Sequence, residues 1–114
     1  MMIEPGSDLD EVARRFALLA DPTRLHILNV VHERGEGTVS EIAGEAGASV
    51  ANASQHLQRL LHGGILGRRR DGQTVRYRVV DDTVEQLCAI VCDSIDRRPA
   101  QGATAPTGQS GRSE

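Results

Sequence analysis

The chain has 114 residues and a formal net charge of −3, with 39% of its residues hydrophobic and 25% charged. This length fits one ordinary domain and excludes a multi-domain enzyme, and no apolar run reaches the roughly 18 residues of a membrane span. The first residues lack the basic and then apolar order of a signal peptide, so we expect a cytoplasmic protein without a membrane partner. Only Phe16 and Tyr77 are aromatic, which predicts an aliphatic core.

Positive charge is concentrated in one third of the chain. Residues 50–80 contain six arginines and one acidic residue, whereas the segments on either side are acidic. Lysine is absent from the sequence, so every basic side chain except histidine is a guanidinium, which suits bidentate contacts with phosphate and guanine. This distribution points to a nucleic-acid partner, and a solvated basic face is the alternative.

Two helices are predicted first. Between Leu9 and Ala20 apolar residues recur at intervals of three and four, the pattern of a helix with one apolar face. Asp21 is placed as the N-cap of a second helix, with Pro22 at its first position and Gly35 at its end. The apolar stripe of the second helix is Leu25, Leu28 and Val31.

A helix-turn-helix is predicted next. A short third helix over 39–46 ends at Gly47, and Ser49 caps a fourth helix over about 50–62 that stops at Gly63. The fourth helix has an apolar stripe on one face and small or polar residues on the other. The stripe is Val50, Ala53, Leu57, Leu60 and Leu61, and the opposite face is Ala51, Asn52, Gln55 and Arg59.

A β-hairpin and a last helix complete the predicted fold, which is mostly α and is a winged helix-turn-helix. The runs 65–70 and 73–80 flank Asp71-Gly72, a dipeptide favoured in tight hairpin turns. The last helix runs from about Thr83 to Asp96, and Pro99 follows it. We expect a flexible N-terminus over 1–8, one DNA-binding and dimerisation domain over 9–98, and a disordered tail over 99–114.

The outer face of the fourth helix predicts direct reading of DNA. A recognition helix must enter a groove about 12 Å wide, so small residues and short polar ones are needed there. The arginines of the hairpin are expected to contact flanking phosphates or the adjacent minor groove. The predicted DNA-binding residues are Ser49, Ala51, Asn52, Ser54, Gln55, His56, Arg59, Arg68, Arg69, Arg70 and Arg76.

Two other classes of function are alternatives to DNA binding. A winged helix that uses the same arginines to contact an acidic protein is the first alternative. An enzyme is not expected, because the sequence has no glycine-rich phosphate loop and no Ser or Cys nucleophile placed beside a base in a recognisable pattern.

Three segments resemble the ArsR/SmtB family of bacterial metalloregulators: LADPTRLHIL, SVANASQHLQRLLHGGIL and RRRDGQTVRYRV. The resemblance covers about residues 9–97. It implies a homodimer joined through the first and last helices, which binds a two-fold symmetric DNA operator and changes its DNA affinity when an inducer binds. His56 matches a residue common in the family and is interpreted as a packing or DNA-positioning residue. An accessory protein is a further partner to consider.

The ligands that the family resemblance implies for metal are mostly missing. The positions that match the family's Cys-x-Cys pair hold Thr38 and Ser40. A second family site pairs an Asp-x-His with a His-x-x-Glu, and one of its four ligands survives. The matching residues here are Asp81, Thr83, Ser94 and Arg97.

Cys88 and Cys92 are the remaining candidates for an effector site. Their spacing puts both thiols on one face of the last helix, where they can bind a soft or borderline ion with a further ligand from the partner subunit. Nickel, zinc and cobalt are the ions considered. The alternatives are oxidation sensing by the pair, simple packing of two small side chains, and a regulator without a small inducer.

An oxygen-donor metal site is the other possibility weighed. It would use Asp81 and Asp82 with Asp93 or Asp96 of the second subunit, together with a histidine. Acidic residues near helix ends are more often solvated, so this set is the weaker alternative.

Overall fold

The computed structural model describes residues 8–97, which form five helices and a two-stranded antiparallel sheet. The order confirms the winged helix-turn-helix fold predicted above. The helices are α1 (Leu9–Leu18), α2 (Pro22–Arg34), α3 (Val39–Ala46), α4 (Val50–His62) and α5 (Asp82–Asp96). Between α4 and α5 lie the strands β1 (Leu66–Asp71) and β2 (Thr74–Val79).

The chain divides after Asp81 into two compact units, and each is described by itself. The first unit contains α1 to β2, and the described part of the second is α5. Within residues 8–97 no helix is both long and apolar enough to cross a bilayer.

Local capping signals define the helices of the helix-turn-helix. The Asp21 side chain accepts a hydrogen bond from the Arg24 amide at 3.0 Å. Thr38 and Glu41 form a capping box at the start of α3, with bonds of 3.1 and 3.0 Å. Gly47 ends α3 with φ 69°, a left-handed conformation that favours glycine. Because these signals are local, the predicted bounds of α2, α3 and α4 agree with the structure.

The core of the first unit is aliphatic, as predicted. Tyr77 is the aromatic residue within it, 4% exposed, and its hydroxyl accepts a hydrogen bond from Gln58 Nε2 at 3.1 Å. Phe16 is outside this core, with 56% of its surface exposed. The largest fully buried side chains are Ile27, Val31, Ile42, Leu57, Leu60 and Ile65.

Two residues of the apolar stripes lie outside the core. Leu25 and Val50 are 36% and 54% exposed. Each lies in the first turn of its helix, so the apolar spacing continues beyond the buried part of the helix. The helix α1 also ends two residues before Ala20, because the chain must turn ahead of the Asp21 cap.

Three further boundaries differ from prediction. Asp8 is ordered, since its side chain caps α1 by accepting from the amides of Asp10 and Glu11 at 3.0 and 3.2 Å. The helix α5 begins one residue early, at Asp82. The two-residue hairpin loop is Gly72 and Gln73 rather than Asp71-Gly72, and Gly72 has φ 68°. The predicted tail over 99–114, Pro99 and residues 1–7 lie outside the described residues.

Large apolar side chains are exposed on two helices, each considered separately. On α1, Leu9 is 60% and Phe16 is 56% exposed, and on α5, Ile90, Val91 and Ile95 are 64%, 49% and 49% exposed. Exposed apolar side chains are unfavourable in water, and several on one helix are typical of an interaction surface.

Candidate nucleic-acid interface

The helix α4 separates its core residues from its solvent residues by face. Ala53, Leu57 and Leu60 are buried in the first unit. The opposite face is exposed and carries the small and polar side chains predicted to read DNA. Those exposed residues are Ala51, Asn52, Gln55 and Arg59.

Side chains at the start and on the margin of α4 have different surroundings. The Ser49 hydroxyl oxygen accepts from the Asn52 amide at 3.0 Å, which leaves its hydrogen able to donate to a phosphate. Ser54 and His56 are half-buried. Among the described residues, Nδ1 of His56 is buried and has no hydrogen-bond partner. The structure therefore places His56 on the packed side of α4, not on its exposed face.

Backbone hydrogen bonds attach the hairpin to the helix-turn-helix. Gly37 and Tyr77 exchange N–H···O bonds of 3.0 and 2.8 Å, which join the connection before α3 to β2. A Cβ at Gly37 would lie 3.0 Å from both Arg34 Nε and Ile42 Cγ1, so this close approach favours glycine. On the other side of Tyr77, Gln58 of α4 bonds to its hydroxyl. One tyrosine thus links α4, the connection between α2 and α3, and the hairpin.

The three consecutive arginines of β1 divide between two faces of the hairpin. Arg68 pairs in register with Tyr77, so Arg68 and Arg70 lie on the face that also carries the buried tyrosine. Both are exposed, and among residues 8–97 neither has a carboxylate partner. Arg69 lies on the opposite face and forms a bidentate ion pair with Glu36, with bonds of 2.6 and 3.0 Å.

Arg76 is also held by carboxylates. Its guanidinium lies 3.4 Å from Asp71 and 3.6 Å from Glu41. Of the four predicted hairpin contacts, Arg68 and Arg70 are therefore unpaired within the described residues, and the other two are not. The alternation of side chains along a strand predicts that Arg69 lies on the face opposite Arg68 and Arg70. Its pairing with Glu36 could not be predicted in this way, because the two residues are 33 positions apart in the sequence.

The Glu36–Arg69 pair leads to a pH prediction. The hydrogen bond from Arg69 holds the pKa of the Glu36 carboxyl below its ordinary value of 4.5. A depressed pKa in the folded state contributes stability that is present above 4.5 and is lost as the pH falls through the folded pKa. We expect Arg69→Gln to raise the pKa of Glu36 toward 4.5 and to weaken the pH dependence of stability in that acidic range.

NMR titration of the Glu36 side-chain carbon checks this result. Arg68→Gln is the matched control, since it removes the same charge from the other face of the hairpin and should leave the pKa of Glu36 in place. An unchanged Glu36 pKa in Arg69→Gln would contradict the ion pair.

The candidate thiol ligands lie on α5. Cys88 is half-buried and Cys92 is exposed. Burial, and to a lesser extent the neighbouring Cys92, raises the pKa of Cys88. Less thiolate is then present at neutral pH, so metal binding must displace a proton and should strengthen as the pH rises. Within the described part of the chain, no three His, Cys, Asp or Glu side chains come together as a metal site.

The candidate oxygen ligands are dispersed. Asp81 forms an ion pair with Arg15, and Asp93 forms one with Arg97 at 2.8 Å. Asp82 and Asp96 are the two ends of α5, which at 1.5 Å per residue lie about 21 Å apart. Within residues 8–97 of one chain, neither ligand set comes together as a metal site.

Comparison with known proteins gives concordant matches. The model of a helix-turn-helix domain family matches residues 19–69. A probable mercury resistance operon repressor from Streptomyces lividans is 40% identical over 97 residues, which are 84% of this chain and 77% of that protein.

Two solved structures have the same fold. The homodimeric winged helix-turn-helix DNA-binding domain of a possible ArsR-family regulator from Mycobacterium bovis is 36% identical, with a TM-score of 0.70, and the match covers 84% of this chain and 93% of that one. An antimony-specific transcriptional repressor is 30% identical, with a TM-score of 0.71 and coverage of 81% and 83%.

Proposed function

Since the chain belongs to the ArsR/SmtB family of winged helix-turn-helix transcriptional regulators, we propose that it binds a two-fold symmetric DNA operator as a homodimer and responds to a metal ion. The observation that carries the DNA-binding part is the exposed face of α4, which is small and polar, together with Arg68 and Arg70 of the hairpin, which are exposed and have no carboxylate partner within residues 8–97. The proposal assigns DNA binding and dimerisation to residues 9–98 and needs no accessory protein.

We propose different roles for the helix and for the hairpin. Asn52 and Gln55 are suited to bidentate hydrogen bonds with adenine in the major groove, and Ala51 lets the helix approach. Arg68 and Arg70 are suited to phosphate contacts, because no carboxylate of the described chain competes for them. Arg69 and Arg76 must first exchange their carboxylate partners for phosphate, so we expect them to contribute less.

A prediction separates base reading from phosphate binding. Gln55→Ala should cost about 1–3 kcal/mol at one base pair of the operator and little on random DNA. Arg70→Gln should weaken binding to the operator and to random DNA by the same factor. It should also reduce the slope of log K against log salt concentration by about one. Fluorescence anisotropy with both duplexes at several salt concentrations measures these effects.

Arg69→Gln is the matched control for Arg70→Gln, because it removes the same charge from the neighbouring position where Glu36 already neutralises it. Its effect on the salt slope should be smaller. Equal losses on specific and random DNA for Gln55→Ala would contradict base reading by α4. Absence of any DNA binding would instead favour the protein–protein alternative.

The dimer is proposed to form through α1 and α5. The exposed apolar side chains of each helix support this, since burying them against a second copy removes them from water. The M. bovis neighbour is described as homodimeric.

We propose a metal ion as the effector, with Cys88 and Cys92 as two of its ligands. The S. lividans relative is a mercury resistance operon repressor by name, and the antimony-specific neighbour also responds to a soft element. Thiolates are the ligands that such ions prefer. Thr38 and Ser40 offer no thiolate, and Arg97 places a cation where the second family site needs a ligand, so neither of those sites fits this chain.

Calorimetric titration of the metal-free protein with zinc, nickel, cobalt and mercury tests the ligand set. Cys88→Ser and Cys92→Ser should each lower the affinity for the preferred ion by about 10–100-fold or more. Ser94→Ala, on the same helix, should leave it unchanged. Unchanged affinity in both cysteine variants would contradict the cysteine site and would favour the alternative site formed by the aspartates. Loss of DNA binding on oxidation of the metal-free protein would favour the redox alternative.

A further inference from the structure

A cavity of about 580 Å³ opens between α1, the start of α2 and the end of α4. Its charged lining is strongly unbalanced, with four arginines and a histidine against one glutamate. These residues are Arg14, Arg15, Arg24, Arg59, His62 and Glu11.

The glutamate does not neutralise the cavity. Glu11 lies 2.9 Å from Arg14 and 3.7 Å from Arg15, so one carboxylate serves two guanidinium groups. Arg15 is in addition paired with Asp81. Arg24 and Arg59 have no carboxylate partner within the described chain. The lining of the cavity therefore carries an excess of positive charge.

Arg24 holds part of that charge away from water. Its Nη1 donates to the carbonyl oxygens of Leu18 and Ala17 at 3.1 and 3.5 Å, at the end of α1. Its Nε is buried and has no hydrogen-bond partner among the described residues. The Asp21 carboxylate attracts Arg24 electrostatically but forms no ion pair with its guanidinium. An anion that hydrogen-bonds to this partly dehydrated guanidinium would therefore still be favoured.

We propose that this cavity binds a small molecule carrying two or more carboxylate or phosphate groups. Guanidinium groups recognise both oxyanions by paired, charge-assisted hydrogen bonds. Arg14, Arg24 and Arg59 come from three helices and surround one space, so a ligand with several anionic groups satisfies more of them than a single anion does. The volume lies within the range of small-molecule sites.

Dimerisation as proposed above leaves this cavity uncovered on α1. Helical spacing places Arg14 and Leu18 on one face of α1, and Leu9 and Phe16 on the opposite face. A Cβ at Gly63 would lie 2.2 Å from Leu18 Cδ1, so the first of these faces is seated on the end of α4. The apolar face is the one available to a second copy.

Arg59 connects the cavity to the DNA-facing side of α4, where Asn52 and Gln55 are also exposed. An anion that binds Arg59 would prevent this side chain from contacting a DNA phosphate and would therefore lower the affinity for the operator. This consequence rests on the proposed function, whereas the binding site itself does not.

Calorimetry without DNA tests the site. The metal-free full chain is titrated with citrate and, separately, with pyrophosphate at constant ionic strength set by chloride. We expect saturable binding of at least one, weakened about tenfold or more by Arg24→Gln, Arg59→Gln and Arg14→Gln, each of which removes charge-assisted hydrogen bonds. Arg78→Gln, which removes the same charge outside the cavity, should leave binding unchanged.

Three outcomes overturn the proposal: no saturable binding of either anion, equal weakening by Arg78→Gln, or binding that survives all three cavity substitutions. Arg14→Gln keeps the test valid if Arg24→Gln fails to fold, since Arg14 is exposed and bonds only to Glu11 among the described residues. Fluorescence anisotropy with the operator measures the consequence for DNA binding. The anion should weaken the binding of the wild-type protein to the operator and should not affect that of the Arg24→Gln protein. If Arg24→Gln and Arg14→Gln instead abolish DNA binding and neither anion binds, the cavity is a DNA phosphate site.

Discussion

Replacing Phe16 with aspartate is expected to make the chain monomeric and to weaken its binding to a two-fold symmetric operator by about 100-fold or more, because a monomer occupies one half-site and loses the gain from simultaneous attachment. Phe16 is 56% exposed on the apolar face of α1. An aspartate there would bury an unpaired charge in the interface and would not disturb the core of its own chain.

Sedimentation equilibrium measures the assembly state, and anisotropy with the intact operator measures affinity. Val80→Asp is the matched control, since Val80 is also an exposed apolar residue, 52% exposed, and lies outside α1 and α5. It should remain dimeric. If the Phe16→Asp protein remains dimeric, α1 is not part of the interface, and α5 is the remaining helix proposed to form it.

Leu57→Ala is expected to destabilise the chain by about 2–5 kcal/mol, the cost of a large-to-small change at a packed site. Leu57 is fully buried on the core side of α4, directly behind the face that we propose to read DNA. Operator affinity should fall as the folded population falls, with no change in base preference. Urea unfolding followed by circular dichroism measures the free energy of unfolding.

Two variants bracket that result. Leu57→Met keeps the volume and should cost less than about 1.5 kcal/mol. Val50→Ala, on the same helix but 54% exposed, should stay within about 0.5 kcal/mol of the wild type. A loss below about 1 kcal/mol for Leu57→Ala would mean that α4 is not packed as described.

Much of the fold was predictable because its signals are local. Three helix boundaries are each marked by residues that lie within four positions of one another. The marking residues are Asp21 with Pro22, the Thr38–Glu41 capping box, and Gly47. Apolar spacing alone does not tell how far burial extends along a helix. Leu25 and Val50 continue the spacing into the first turns of α2 and α4, although they are 36% and 54% exposed.

The candidate interface was predictable in part for the same reason. The exposed face of α4 follows from helical periodicity alone. The carboxylate partners of Arg69 and Arg76 do not, because Glu36 and Glu41 come close only when α3 docks beside β2. The cavity was missed entirely, since Arg14, Arg24 and Arg59 converge from three helices and no spacing in the sequence relates them.

The hydrogen bonds of Tyr77 bear on how an inducer could act. Because this residue bonds to Gly37 through its backbone and to Gln58 through its hydroxyl, hydrogen bonds hold α4 and the hairpin together. We therefore expect α4 and the hairpin of each copy to move together. Half-sites on a duplex lie about 34–36 Å apart. We therefore expect an inducer to change the distance between the α4 helices of the two copies rather than the conformation of either helix-turn-helix.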